Sequence, residues 1–135
     1  MNTVLKGEIA ELEVQRRAAE KGFVVSHPTT PARYDLIIDD GKSLKKVQVK
    51  YCGHAPGGTG ARRVMLEKKS QSKSAVMRTY SDAEIDAVLA YLPESKTVLW
   101  FDIEKFKGRP SFQVRIEPAK NGQKEGIIWW EDFVW

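Results

Sequence analysis

Residues 32–52 read ARYDLIIDDGKSLKKVQVKYC. Two short apolar runs, Leu36-Ile37-Ile38 and Val47 to Val49, flank the polar turn Asp39-Asp40-Gly41-Lys42-Ser43. An Asp-Gly pair between such runs is a hairpin signal, so strands are expected over about 34–39 and 44–51. Alternate side chains of a strand point to opposite faces. Gln48 and Lys50 therefore share one face, and Val47, Val49 and Tyr51 share the other. If the hairpin twists and splays, Asp35 comes near Gln48 and Lys50 at one sheet edge. A hard cation such as magnesium takes oxygen ligands and keeps several waters. Asp35 offers a carboxylate, Gln48 an amide oxygen and Val49 its backbone carbonyl. Lys50 is then placed to orient or deprotonate an attacking water, or to stabilise the charge that develops on a phosphate. That is the layout of metal-assisted phosphodiester hydrolysis. The same alternation also describes a strand whose charged face simply meets water, and the residues alone leave both readings open.

The rest of the chain narrows the setting. Its 135 residues, 41% hydrophobic and 30% charged, suit a single globular domain over 1–135 with a real core. No apolar run approaches the roughly 18 residues that span a bilayer, and Glu8, Glu11 and Glu13 interrupt the N-terminal region where a signal peptide would be apolar. One cysteine, Cys52, excludes an internal disulfide or a Cys-rich zinc site. A cytoplasmic or nucleoid-associated location is expected, with no membrane partner. Net charge is +4, but residues 41–80 hold ten Lys or Arg against the single acid Glu67. That segment is +9 and the remainder −5. Such asymmetry points a face at a polyanion, with nucleic acid the usual one.

Read in order, Leu5, Ile9, Leu12 and Ala19 recur at helical spacing with Arg16 on the same stripe, Thr3 as a cap and Lys21-Gly22 as the end. Phe23 to Val25 is a short strand. CGHAPGGTGA, with four glycines from Gly53 to Gly60, is an exposed loop. RRVMLEKK is a strand, and SQSKSAVMRTY a basic loop that orders on a partner. AVLAYL and TVLWFDI are paired buried strands, and SFQVRI is another strand. IIWWEDFVW, dense in tryptophan, is a tail that clamps its aromatics onto the core. A helix followed by many strands argues α+β, or an α/β sandwich with a mixed sheet.

Four segments in this order resemble the PD-(D/E)XK nuclease superfamily. KGEIAELEVQRRAAEKGFVVSHP is similar to the family's first helix and strand, with a G-x-x-x-E signature from Gly7 to Glu11. RYDLIIDDG is similar to the metal-binding Asp segment, and VQVKY stands where the family usually has acid-x-Lys. YSDAEIDAVLAYLPESKTVLWFDIEKF resembles a branch that includes homing endonucleases encoded in group I introns, where Gln in place of the second acid is expected. The resemblance implies a restriction-endonuclease-like α/β (α+β) core, a mixed β-sheet flanked by helices. It implies Asp35 as central metal ligand, Gln48 in the second acid's position, Lys50 as catalytic lysine and Glu11 as the helix acid. Periodicity does not choose between Glu8 and Glu11: at about 100° per residue they lie roughly 60° and 120° from the centre of the apolar stripe. The G-x-x-x-E spacing selects Glu11. Arg33-Tyr34 replace the usual Pro before the Asp.

The expected function is a Mg-dependent endodeoxyribonuclease, with Mn able to substitute. It acts on double-stranded DNA, has a homing or other mobile-element role, and works as a homodimer or homotetramer because cutting two strands needs two sites. Arg62, Arg63, Lys68, Lys69, Lys73 and Arg78 are the expected phosphate contacts, which position a duplex without reading its sequence. Thr29, Thr30, Arg33 and the loop Gln71–Ser74 are candidates for base reading. Two alternatives stand beside this: a nuclease like the Holliday-junction resolvases, which normally keep the second acid, and a non-catalytic nucleic-acid-binding module on a relic nuclease fold. Neutral Gln48 weakens the charge that tunes metal affinity. His27 and His54 read as structural and loop residues, Cys52 lacks a nearby base, and Gly57 to Gly60 is no P-loop, since Ala61-Arg62 follows in place of G-K-[ST].

Overall fold

The computed structural model describes residues 1–54, 60–69, 77–79, 84–119, 121–122 and 124–135. Helix α1, Thr3–Glu20, starts at Asn2, whose side-chain Oδ1 accepts the Leu5 N–H at 2.9 Å. The cap is thus Asn2, one residue before Thr3; a short side-chain oxygen just outside the first turn reaches the orphan amides best. The helix ends at Lys21-Gly22, as its sequence predicts.

The main sheet has five strands in the order β1-β2-β3-β7-β8. Strand β1 (Val24–Ser26) pairs antiparallel with β2 (Leu36–Asp39), and β2 antiparallel with β3 (Leu44–Tyr51). Strand β7 (Ala87–Leu92) lies parallel to β3 and antiparallel to β8 (Thr97–Asp102), so the sheet is mixed. Every residue of β7 is buried, the mark of a central strand covered on both faces. The β2–β3 turn closes on Gly41 at φ +86°, and the Asp40 carboxylate accepts from the Lys42 and Ser43 amides at 2.8 Å. This is an Asx-type turn that fixes the hairpin register.

Helix α1 packs on one face of this sheet through Ala10, Val14 and Ala18, against Leu36, Ile38, Val47, Val49 and Leu89. The burial overturns most of the stripe read from the sequence: Leu5, Leu12 and Ala19 are exposed, and Ile9 alone of that stripe packs against the core. Small side chains at two of the three contact positions let the helix approach the sheet closely. The opposite face carries Val88, Ala90, Leu99 and Phe101. It is covered by a three-stranded sheet ordered β10-β9-β4, made of β4 (Ala61–Met65), β9 (Ser111–Arg115) and β10 (Ile128–Trp129). The short helix α2 (Ile103–Phe106), not foreseen in the sequence, adds Ile103 and Phe106. Phe101, Phe106, Phe112 and Phe133 stack within this layer. Gly60 leads into β4 where a Cβ would meet the Glu117 Cβ at 2.7 Å, so only glycine fits.

RRVMLEKK, read as one strand, divides at Leu66 into β4 and β5 (Glu67–Lys69). Strand β5 pairs with β6 (Met77–Thr79) in a separate two-stranded ribbon, which places a strand inside the stretch expected to be loop. The rest of that loop, residues 70–76 and 80, lies outside the described residues, as do 55–59 of the glycine-rich segment. The C-terminal tail forms a 3₁₀ turn, Trp130–Phe133, then crosses β8: the Trp135 N–H donates to the Val98 carbonyl at 2.9 Å, and its ring stands 5.5 Å from Trp100. Arg17 Nη1 donates to the Trp135 carbonyl at 3.0 Å, joining the tail to α1. Among the described residues no helix is long and apolar enough to cross a membrane.

Candidate active site

The hairpin splays at Asp35. Its N–H still reaches the Val47 carbonyl, at 2.9 Å, but there the β2 ladder stops. One step further, the Val49 N–H is taken by the Asp35 side chain, Oδ2 at 2.8 Å. A carboxylate thus replaces the main-chain acceptor that a continuing β2 would have supplied. The N–H and C=O of one strand residue face the same side, so the Val49 carbonyl also looks toward Asp35.

Gln48 and Lys50 sit opposite Val88 and Ala90 of β7 in the parallel register, on the face away from α1. Gln48 is 8% exposed, and its Oε1 is buried with no hydrogen-bond donor among the described residues. Lys50 is half-buried, two residues along the same strand face. Cys52 follows on that face; burial pushes its thiol up to about 12, which keeps it protonated and chemically silent.

Glu11 reaches the same edge from α1. Its carboxyl is held above the ordinary value, chiefly by desolvation and then by the negative charge of Asp35, with the nearby His27 acting in the opposite sense. The true buried row, centred on Val14, inverts the helical-wheel geometry. Glu11 lies roughly 60° from its centre and Glu8 roughly 120°, and Glu8 is exposed while Glu11 is partly buried.

An oxygen donor set of Asp35, Glu11, the Gln48 amide and the Val49 carbonyl suits a hard divalent cation. Among the described residues no three His, Cys, Asp or Glu side chains cluster as a metal group, because two of these four donors are neutral. The orphaned Gln48 Oε1 is the observation that fits: a buried amide oxygen without a donor needs an electropositive partner. Two cavities lined by described residues lie away from these groups, one of about 290 Å³ beside Arg115 and Trp129 and one of about 300 Å³ beside Phe23 and Trp135.

A model of the PD-(D/E)XK endonuclease family matches residues 1–135. The chain belongs to the PD-(D/E)XK endonuclease family. Among solved structures it is similar to a bacterial homing endonuclease, I-Ssp6803I, with a TM-score of 0.81 and 25% identity over 99% of this chain and 89% of that one. No curated protein matches. Membership accounts for the helix, mixed sheet and splayed hairpin together, and the resemblance read from the four sequence segments holds.

The expected DNA contacts divide within this family fold. Arg63 is exposed on β4, but Arg62 is buried, with Nη2 3.5 Å from Glu94 Oε1 and Nη1 donating to the Ala61 carbonyl. Strand alternation puts one of two adjacent arginines inside, and burial removes Arg62 from the phosphate-contact set. Lys68, Lys69 and Arg78 belong to the β5–β6 ribbon, with Lys68 and Arg78 as register partners. Lys73 lies outside the described residues. Arg33 pairs with Glu84 at 2.7 Å, tying the segment before Asp35 to the one entering β7. Two groups were missed by sequence reasoning. Glu94 accepts the His54 N–H at 2.6 Å as well as holding Arg62. His27, read as structural, is exposed and acts on Glu11. Its signal was its position one residue past β1, whose antiparallel register with β2 carries it toward Asp35.

Proposed function

We propose that this endonuclease hydrolyses phosphodiester bonds of double-stranded DNA with Mg²⁺, or Mn²⁺ in its place, held by Asp35, Glu11, Gln48 and the Val49 carbonyl. The buried Gln48 Oε1, without a donor among the described residues and one residue from the Val49 N–H that holds Asp35, carries the reading. When bound, the cation supplies Lewis acidity to the scissile phosphate and a more acidic water. The chain's own groups do the rest. The backbone N–H of Val49 fixes the Asp35 carboxylate, so one of its oxygens is oriented before any ligand arrives. Lys50, two residues beyond Gln48 on the same face, orients the attacking water and offsets charge on the phosphate. Arg63, Lys68, Lys69, Lys73 and Arg78 hold the duplex by its phosphates, which fits the +9 balance of residues 41–80. Likeness to a bacterial homing endonuclease supports a mobile-element role, and the need for two active sites to cut two strands supports a homo-oligomer.

Plasmid nicking tests this. Wild type should convert supercoiled plasmid with Mg²⁺ or Mn²⁺ and not with chelator, and Lys50→Ala should cut about 10²–10⁴-fold more slowly while still binding DNA. The neutral Gln48 favours one second reading, a binding module without catalysis. Intact binding with no cleavage of linear duplex, plasmid or four-way junction by wild type would select it.

A further inference from the structure

Gly7 stands inside helix α1, where a glycine weakens the helix relative to alanine. The fold gives it no local reason to be there. Its backbone is helical, not left-handed like Gly22 and Gly41. A Cβ built on it would meet no heavy atom of the described residues within 4 Å, beyond its chain neighbours and the helix backbone. Yet the position is not on the outer face. At about 100° per residue Gly7 lies roughly 20° from Val14, on the row that faces the sheet. That row is buried at Ala10, Val14 and Ala18 and only half-buried at Gly7. The result is a notch in the helix surface, and it opens beside the catalytic groups. Glu11 lies roughly 40° around the helix from Gly7 and about 6 Å along it. On the Glu11 side the β2–β3 ladder has already ended at Leu36. On the other side Lys6 Nζ stands 5.7 Å from the centre of the Tyr51 ring, at the end of β3.

We propose that the sugar-phosphate backbone of the bound DNA strand seats in this notch, against the bare main chain at Gly7, with Lys6 meeting its phosphate. The inference rests on the nuclease reading and makes Gly7 a positioning residue for it. A strand whose scissile phosphate lies at Asp35 and Glu11 must lead away over a neighbouring element. Gly7 is where α1 offers that strand main chain with no side chain in the way, and close approach of a ligand to backbone is a standard use of glycine. Charge fits the same occupant. Lys6 borders the notch, and Glu8 is turned about 100° away from it around the helix. The basic ribbon grips a duplex through long, adaptable side chains. Gly7 acts by shape: it sets how deep the strand sits, and so how far the scissile phosphate lies from Asp35. A glycine that the fold itself does not need is then kept against the preference of the helix.

Gly7→Ala and Gly7→Leu in the full chain test it, because stability and function should move in opposite directions. Both variants place a better helix former in open space, so the melting temperature should rise by about 2–4 °C. Gly7→Leu should weaken duplex binding, read by fluorescence anisotropy in chelator, about tenfold and slow plasmid cleavage about 10²-fold, with Gly7→Ala between it and wild type. The loss of affinity in Gly7→Leu is steric and should be the same at every salt concentration. Lys6→Ala should instead lower the slope of log K against log salt by about one. Calorimetric Mn²⁺ binding should match wild type in both Gly7 variants, since no metal donor is touched. Gly7→Leu binding and cutting as wild type does would overturn the proposal and leave the nuclease reading standing. So would a lower melting temperature in Gly7→Ala, which would show that the fold itself needs the glycine. A wild type that binds duplex without cutting it, with that binding weakened by Gly7→Leu, would uphold the notch and count against catalysis alone.

Discussion

At position 48 the chain holds a buried neutral amide, one residue before the Val49 N–H that binds the Asp35 carboxylate. Ligand charge sets much of a site's divalent affinity, so Gln48→Glu has opposed effects with and without metal. In chelator, a carboxylate at this buried position is charged without a partner and should lower the melting temperature. In excess Mn²⁺ the same charge should tighten binding by about tenfold and raise it. Calorimetric titration together with melting curves reads both signs. Unchanged Mn²⁺ affinity would mean that the side chain at 48 does not face a cation. That residues 48 and 50 share a strand face was legible in the alternation of VQVKY. That Gln48 is buried with its oxygen orphaned was not, because burial depends on the second sheet laid across that face. Arg62 makes the same point in reverse: as a sequence it belongs to a basic cluster, but in the fold it belongs to Glu94.

Among elements, α1 and the β5–β6 ribbon separate what a segment says from where it goes. The ribbon pairs with neither larger sheet among the described residues. Its backbone register pairs Lys68 with Arg78, two residues of like charge. Changing Lys68 and Lys69 to Ala should leave stability within about 1 kcal/mol of wild type. DNA affinity should weaken for every sequence alike, and the slope of log K against log salt should drop by about two. An unaltered salt slope would put the duplex on another surface. The C-terminal tail, by contrast, reads correctly from composition alone. Of four aromatics in nine residues, Trp130 and Phe133 pack on the phenylalanine layer and Trp135 against Trp100 of β8, while Trp129 lines the cavity beside Arg115.

For the molecule as a whole, the site stores an electrostatic conflict. Glu11 is raised above its ordinary carboxyl value by burial and by Asp35. A carboxyl raised on folding keeps its proton longer in the folded chain, so it lowers stability as pH rises from the unfolded value through the folded one. A divalent cation competes with that proton. The rise in melting temperature produced by Mn²⁺ should therefore grow from weakly acidic pH toward about pH 8, and Glu11→Gln should flatten the growth. Melts across that range, with and without Mn²⁺, measure it. A metal effect independent of pH in the wild type would remove Glu11 from the donor set.

By itself the sequence determined the hairpin, its Asp-Gly turn, the alternation that groups Gln48 with Lys50, the basic middle of the chain and the aromatic tail. These are local patterns, set by strand period, turn chemistry and composition. Tertiary structure decided which of the two apolar rows on α1 is buried, and so which helix acid meets Asp35. Both rows satisfy helical periodicity; the one with two alanines can lie close against a flat sheet, and the one with leucines is left outside. It also decided that β2 parts from β3 at Asp35, where one carboxylate takes the Val49 amide that a longer ladder would have used. That choice depends on α1, β7 and the second sheet together holding β3 in place, which no window of sequence contains.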